Sequence, residues 1–193
     1  MKEILQRIWE LAWPYQDKRG DRGHAEITLD YAKTLVRLEN GDGDIVIPAI
    51  ILHDIGWSQV PRVKRFLIFD GKAREEEKIS ARLQHESAST ELARDILSKV
   101  GYPADLAAEI LGIVAEHDTR EEYLSVSEGL VSDADKLWRF SAVGFRVDTR
   151  RYKLSPEMLF RKLEADLKNP VFFYSRTARQ LAYEELESRG RLI

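Results

Sequence analysis

The chain has 193 residues, of which 30 are basic and 33 acidic, and a net charge of −3. That length supports one domain with a sizeable core, no Pro/Gly/Ser-rich linker sets off a second, and the balanced charge excludes the global basic field of a nucleic-acid binder. The absence of cysteine excludes disulfide frameworks, thiolate nucleophiles, cysteine zinc sites and iron–sulfur clusters. Met1 to Leu11 is charged and lacks the apolar stretch of a signal peptide, and the longest apolar run, Ile45 to Leu52, is too short to span a bilayer. The expectation is a cytoplasmic protein of one domain over residues 1–193, with no membrane segment.

Lys2 to Tyr15 reads as an amphipathic helix with Ile4, Leu5, Ile8, Trp9, Leu11 and Ala12 inward, ended near Pro14. Gln16 to Gly23 is a polar loop whose Lys18, Arg19 and Arg22 read as solvated charge, with contact to a substrate anion as the alternative. His24 opens a helix in which Ile27, Tyr31, Leu35 and Leu38 follow at helical spacing, closed by Asn40-Gly41. Asp44 is placed to cap a helix over Ile45 to Trp57, although Pro48 keeps a buried strand in play for Ile45 to Leu52. Ser58 to Gln84 is irregular, and Arg62, Lys64, Arg65, Lys72 and Arg74 make its first half cationic. It reads equally as a phosphate-binding lid and as a solvated connector.

His85 to Val100 and Pro103 to His117 form a helical hairpin joined at Gly101. Thr119 to Gly129 is acidic and irregular, and Leu130 to Arg146 has a helical pattern anchored by Trp138 and Phe140. Ser155-Pro156 and Asn169-Pro170 each pair a cap with a first-turn proline, so the last helices are Pro156 to Leu167 and Pro170 to Glu187, the latter carrying Arg176 and Arg179. No strand alternation with hairpin turns is present, and the fold class is all-α.

His53 and Asp54 end the run I-V-I-P-A-I-I-L-H-D-I-G-W. A buried imidazole and carboxylate cost several kcal/mol unless they are paired or hold a metal. Both are ligands for divalent first-row metals, and consecutive helical positions, about 100° apart, can flank one ion. The bland reading has Asp54 orienting a core histidine. The other histidines weigh against it: His24, His85 (with Ala88, Leu92 and Ile96) and His117 (with Leu106, Ile110 and Ile113) each stand at an end of an apolar helical face. Further on, Asp135 shares a row with Val131, Trp138, Ala142 and Phe145, and Asp133 with Leu130, Leu137, Phe140 and Gly144, so either acid is a candidate for burial.

The order His24, then His53-Asp54, then an acid in A-D-K-L (Ala134 to Leu137) resembles the HD-domain superfamily of metal-dependent phosphohydrolases. H-E-S-A (His85 to Ala88), A-E-H-D (Ala115 to Asp118) and D-A-D-K-L followed by G-F-R (Gly144 to Arg146) are similar to its small stand-alone bacterial and archaeal branch, over residues 20–185 or so. The resemblance implies a helical bundle with a motif core over residues 20–146, completed by C-terminal helices at 155–188. It implies His24, His53, Asp54 and Asp135 as metal ligands, with Asp133 beside them. Lys136 stands where arginine is usual, which weakens any bidentate phosphate contact there.

Such a site leaves positions open for water and substrate, and a divalent ion supplies Lewis acidity for hydrolysis of a P–O bond. The implied substrate is a nucleotide or similar small phosphorylated metabolite. The ion is one of Mn, Fe, Co, Ni, Zn or Mg; one per chain is favoured, with His85 and His117 lining the substrate pocket, and two are possible if those histidines complete a second site bridged by Asp54. Lys136, Arg139, Arg146, Arg62, Lys64 and Arg65 are the candidate substrate-binding cations. Asp54, Glu86, Asp118 and Asp133 are the candidate catalytic carboxylates, the last three as proton carriers. The alternatives are a di-iron oxygenase on the same scaffold and a non-catalytic metal- or nucleotide-binding regulatory module. A homo-oligomer is compatible with every reading.

Overall fold

The computed structural model describes residues 2–190; Met1 and residues 191–193, the ends of the expected 1–193 domain, lie outside the described residues. Among those described there are ten α-helices, linked by 3-10 turns and loops, and no strand. No described helix is long and apolar enough to cross a membrane.

Helix α1 (Lys2–Ala12) turns into a short 3-10 segment at Trp13–Tyr15, and α2 (His24–Glu39) and α3 (Gly43–Leu52) follow. Every residue from Ile45 to Leu52 is buried. A helix apolar all round belongs inside a core, and α3 packs against α1, α2, α6 (Ala104–Ala115) and α7 (Val126–Leu137). Its cap is Asp42, not Asp44: the Asp42 side chain accepts from the Asp44 amide at 2.9 Å. The strand alternative for this run fails. Pro48 cannot donate to the Asp44 carbonyl four residues back, and the Tyr102 hydroxyl donates to that oxygen instead, at 2.6 Å.

The α2 N-terminus is capped from upstream, because Asp17 accepts from the amides of Gly23 at 2.7 Å and Ala25 at 3.2 Å. Gly23 has φ 91°, a left-handed conformation that suits glycine. The buried face of α2 is His24, Ala25, Thr28, Ala32 and Leu35, offset from the expected stripe, and Leu38 is 49% exposed. His24 lies on the buried row under either register.

Several boundaries differ from expectation, among them the end of α3 at Leu52 and the start of α7 at Val126. A 3-10 turn at Ile55–Ser58, the short α4 (Arg62–Arg65) and a second 3-10 turn at Leu67–Phe69 lead to α5, which spans Glu75–Lys99 and so begins ten residues before His85. Glu75, Glu76 and Glu77 complement the dipole of its first turn, and Glu77 caps it by accepting from the Arg74 amide at 3.1 Å. The Leu130 to Arg146 pattern is two helices, α7 and α8 (Ala142–Arg151), broken by a 3-10 turn at Trp138–Phe140. Ser141 starts α8 by accepting from the Gly144 amide at 3.0 Å. After α9 (Pro156–Lys168), Asn169 forms a turn by accepting from the Val171 amide at 3.1 Å, and α10 (Arg176–Gly190) is capped by Ser175, so Pro170 does not open a helix.

Candidate metal centre

Four side chains, from α2, α7 and the turn after α3, come together. His24 stands in the first turn of α2, His53 and Asp54 follow α3, and Asp135 lies in the last turn of α7, which packs on both α2 and α3. His24 Nε2 is 2.9 Å from Asp135 Oδ1, His53 Nε2 is 3.4 Å from that oxygen and 3.5 Å from Asp54 Oδ2, and His24 Nδ1 is 3.9 Å from Asp54 Oδ2. His53 Nδ1 lies 2.7 Å from the Ile50 carbonyl, which can only accept. Nδ1 therefore carries a proton, and in the neutral ring Nε2 offers a lone pair. That Nε2 is buried with no hydrogen-bond partner. An orphaned imidazole nitrogen facing two carboxylate oxygens, with a second imidazole beside them, fits a divalent cation, and the four ligand atoms lie within 4.8 Å of one another.

Asp54 divides its two oxygens. Oδ2 faces His24 and His53, while Oδ1 accepts from Trp57 Nε1 at 3.0 Å and lies 3.6 Å from His85 Nε2 and 3.5 Å from His117 Nε2. Asp54, His85 and His117 thus form a second group of suitable donors. His117 Nδ1 donates to the Val114 carbonyl at 2.8 Å, and His85 stacks on Trp57 at 4.1 Å. Glu86 accepts from the amides of Asp118 at 2.9 Å and Thr119 at 3.0 Å, which holds the turn just after His117 against α5.

The electrostatics follow from burial opposed by close charges. Burial opposes the charge on Asp54, yet the Arg19 guanidinium and the neighbouring His53 hold its carboxyl well below the usual range. Asp135 is likewise held low, against burial, by His24 and His53. Burial and the His117 charge push the His85 imidazole down to about 3. For His117, burial is outweighed by Asp54 and Asp118, and the ring is lifted to about 9.

Beside the cluster lies a cavity of about 290 Å³ lined by His24, His117, Asp118 and Asp135. Its walls carry six cations, Arg19, Arg82, Arg120, Lys136, Arg139 and Arg151, and the aromatic rings of Phe69, Tyr152, Tyr123, Trp138 and Phe172. Lys136 donates to the Tyr123 hydroxyl and the Phe172 carbonyl, each at 2.7 Å.

Several expected site residues are placed elsewhere. Arg62 and Lys64 are exposed on α4 and Arg146 is exposed on α8, none of them lining the cavity. Arg65 is spent on the carbonyls of Val60 at 2.6 Å and Ser58 at 3.0 Å, stitching the loop together. Asp133 points to the start of α10, accepting from the amides of Tyr174 at 2.7 Å and Ser175 at 2.8 Å. Arg179 binds the Leu167, Asn169 and Pro170 carbonyls, and Arg176 is exposed. Conversely, Arg19, read first as solvated loop charge, is partly buried beside Asp54, and Arg82, Arg120 and Arg151 line the cavity without any local signal that separates them from surface charge.

A search of curated proteins returned no match. Among solved structures, the crystal structure of a predicted HD superfamily hydrolase from an uncultured Thermotogales bacterium superimposes with a TM-score of 0.62 at 21% identity, covering 100% of this chain and 88% of that one. At that identity the likeness shows a shared fold. The family model for the HD domain matches residues 22–139, a span that holds all four residues of the first cluster. The chain belongs to the HD-domain family.

Proposed function

We propose that this chain is a metal-dependent phosphohydrolase acting on a nucleotide or a similar small phosphorylated metabolite. The observation that carries the reading is the cavity: six cations and five Phe, Tyr or Trp rings line it together with His24 and Asp135, two members of the His24/His53/Asp54/Asp135 cluster. Cations suit phosphate oxygens and flat rings suit a base. An ion bound by those four residues supplies Lewis acidity and a nucleophile at neutral pH. Asp54 and Asp135 enter as ionised ligands, and His53 is oriented by its Nδ1 bond to the Ile50 carbonyl.

Lys136, whose amine donates to neutral oxygens at the cavity wall, and Arg139 hold non-reacting phosphate oxygens. His117, beside Asp118 at the cavity edge, has a proton to give, and the leaving oxygen takes it as a water oxygen joins phosphorus, the water's own proton passes to solvent and the P–O bond breaks. Glu86 acts by fixing that turn. One ion is the favoured stoichiometry, with His85 and His117 facing substrate. A second reading, a di-iron oxygenase, draws on the adjoining Asp54/His85/His117 group.

The test is a screen of nucleotides and other phosphate esters and anhydrides on metal-stripped protein resupplied with Mn, Fe, Co, Ni, Zn or Mg. Metal-dependent phosphate or pyrophosphate release is expected. No hydrolysis with any ion overturns the proposal, and oxygen uptake with two bound irons replaces it with the second reading.

A further inference from the structure

Arg19 occupies an unusual position. Its Nη2 contacts Asp54 Oδ2, the same oxygen that faces His24 and His53. Its Nε contacts Asp21 Oδ2 at 3.1 Å, and its own amide donates to Asp21 Oδ1 at 3.1 Å, so the base of the side chain is pinned to a buried carboxylate. Arg151 steadies Asp21 in turn, 3.5 Å away. The guanidinium lies over the Trp57 ring at 4.9 Å and lines the cavity. A divalent cation and a guanidinium cannot share Asp54 Oδ2 without strong repulsion. If the guanidinium gives way, it still has Asp21, and the open volume on its free side is the cationic cavity.

We propose that Arg19 is an ion-displaced anion ligand: it neutralises Asp54 in the metal-free protein, and binding of the ion turns its fork, about the Asp21 contact, toward a phosphate group in the cavity. Metal and phosphate then bind cooperatively, each releasing Arg19 to the other's advantage. This rests on the reading of the four-residue cluster as a metal centre and adds a coupling between that centre and its substrate anion.

The experiment is calorimetric titration of Mn²⁺, with and without inorganic phosphate, into the metal-stripped chain, compared with Arg19→Gln and Arg19→Lys. In the wild type phosphate is expected to tighten Mn²⁺ about tenfold, within the usual range of site–site coupling. Arg19→Gln removes the competitor, so Mn²⁺ alone binds more tightly than to the wild type, and the effect of phosphate falls to about threefold or less. Arg19→Lys keeps the charge and guards against a folding failure of the glutamine variant: Mn²⁺ affinity stays near the wild-type value, while the coupling that needs the fork falls as in the glutamine variant. Direct contact of phosphate with the ion predicts coupling that survives both substitutions. That result, or weaker Mn²⁺ binding by Arg19→Gln without phosphate, overturns the proposal and leaves the metal centre standing. No Mn²⁺ binding by the wild type overturns both.

Discussion

At the scale of single residues, two acids two positions apart have opposite fates. Periodicity allows burial of either Asp133 or Asp135, and only the A-D-K-L resemblance favours Asp135. In the structure Asp135 meets His24 and His53, whereas Asp133 accepts two amides at the start of α10. Asp135→Asn is therefore expected to weaken Mn²⁺ by more than about 100-fold, while Asp133→Asn leaves affinity within about tenfold and lowers stability by roughly 1–3 kcal/mol through its amide partners. Metal titration and urea unfolding of both variants read this, and a reversed order would show the ligand to be Asp133. His85 and His117 pose a question of number. If they face substrate around one ion, His85→Ala and His117→Ala lose turnover with one Mn²⁺ still bound per chain. A wild-type stoichiometry of two, dropping to one in either variant, would make them ligands.

At the scale of elements, the approach of α5 to the turn after α3 sets how His85 reaches Asp54. Gly56 makes that approach possible: a Cβ there would lie 2.1 Å from the His85 carbonyl oxygen and 2.2 Å from the Ser89 amide nitrogen, and the Gly56 amide donates to Ser89 Oγ at 2.8 Å. Both near atoms are helix backbone and cannot step aside. Gly56→Ala should cost roughly 3 kcal/mol, at the upper end for overpacking, with a matching fall in melting temperature; a change under about 0.5 kcal/mol would mean that α5 can slide. Glycine's role here was invisible in sequence, because the contact spans the chain from residue 56 to residue 89. What was legible had a local cause. The all-apolar α3, the Ser155-Pro156 start of α9 and the glycine-ended hairpin of α5 and α6 follow from burial and capping. The first ten residues of α5 escaped because Ala81 is the one residue among them buried in the core, so that stretch is held by good helix formers and shows no apolar stripe. Ser141, the cap that splits Leu130 to Arg146, was outweighed by an apolar pattern that continues across the break. Arg19 and Arg65 look alike in sequence, and only the tertiary fold sends one to Asp54 and the other to loop carbonyls.

At the scale of the whole molecule, a run of alternating charges joins distant parts of the chain. Arg139 faces Asp148, Asp148 pairs with Arg151, Arg151 with Asp21, Asp21 with Arg19, and Arg19 with Asp54, which ties α8 to the loop before α2 and to the end of α3. Asp21 and Asp148 are buried, so each needs its cation, and a buried carboxylate stripped of its partner is costly. For Asp21, burial opposes the charge, but Arg19, His24 and Arg151 hold the carboxyl below its ordinary value of 3.8. Asp54 and Asp135 lie lower still. A carboxylate whose folded value is depressed contributes stability that is present above the unfolded value and is lost as pH falls through the folded one. The metal-stripped protein should therefore lose its urea midpoint gradually below about pH 6.5, as unfolding lets the buried His85 take a proton, and more steeply below about pH 4, as the three acids also take up protons on unfolding. Asp21→Asn separates this network from carboxylates in general. It should lower stability at pH 7 by about 3 kcal/mol, since Arg19 and Arg151 each lose a buried partner, and it should flatten the acid limb, because one of the three linked groups no longer titrates. Equal acid slopes in the variant and the wild type would mean that the network does not govern acid unfolding.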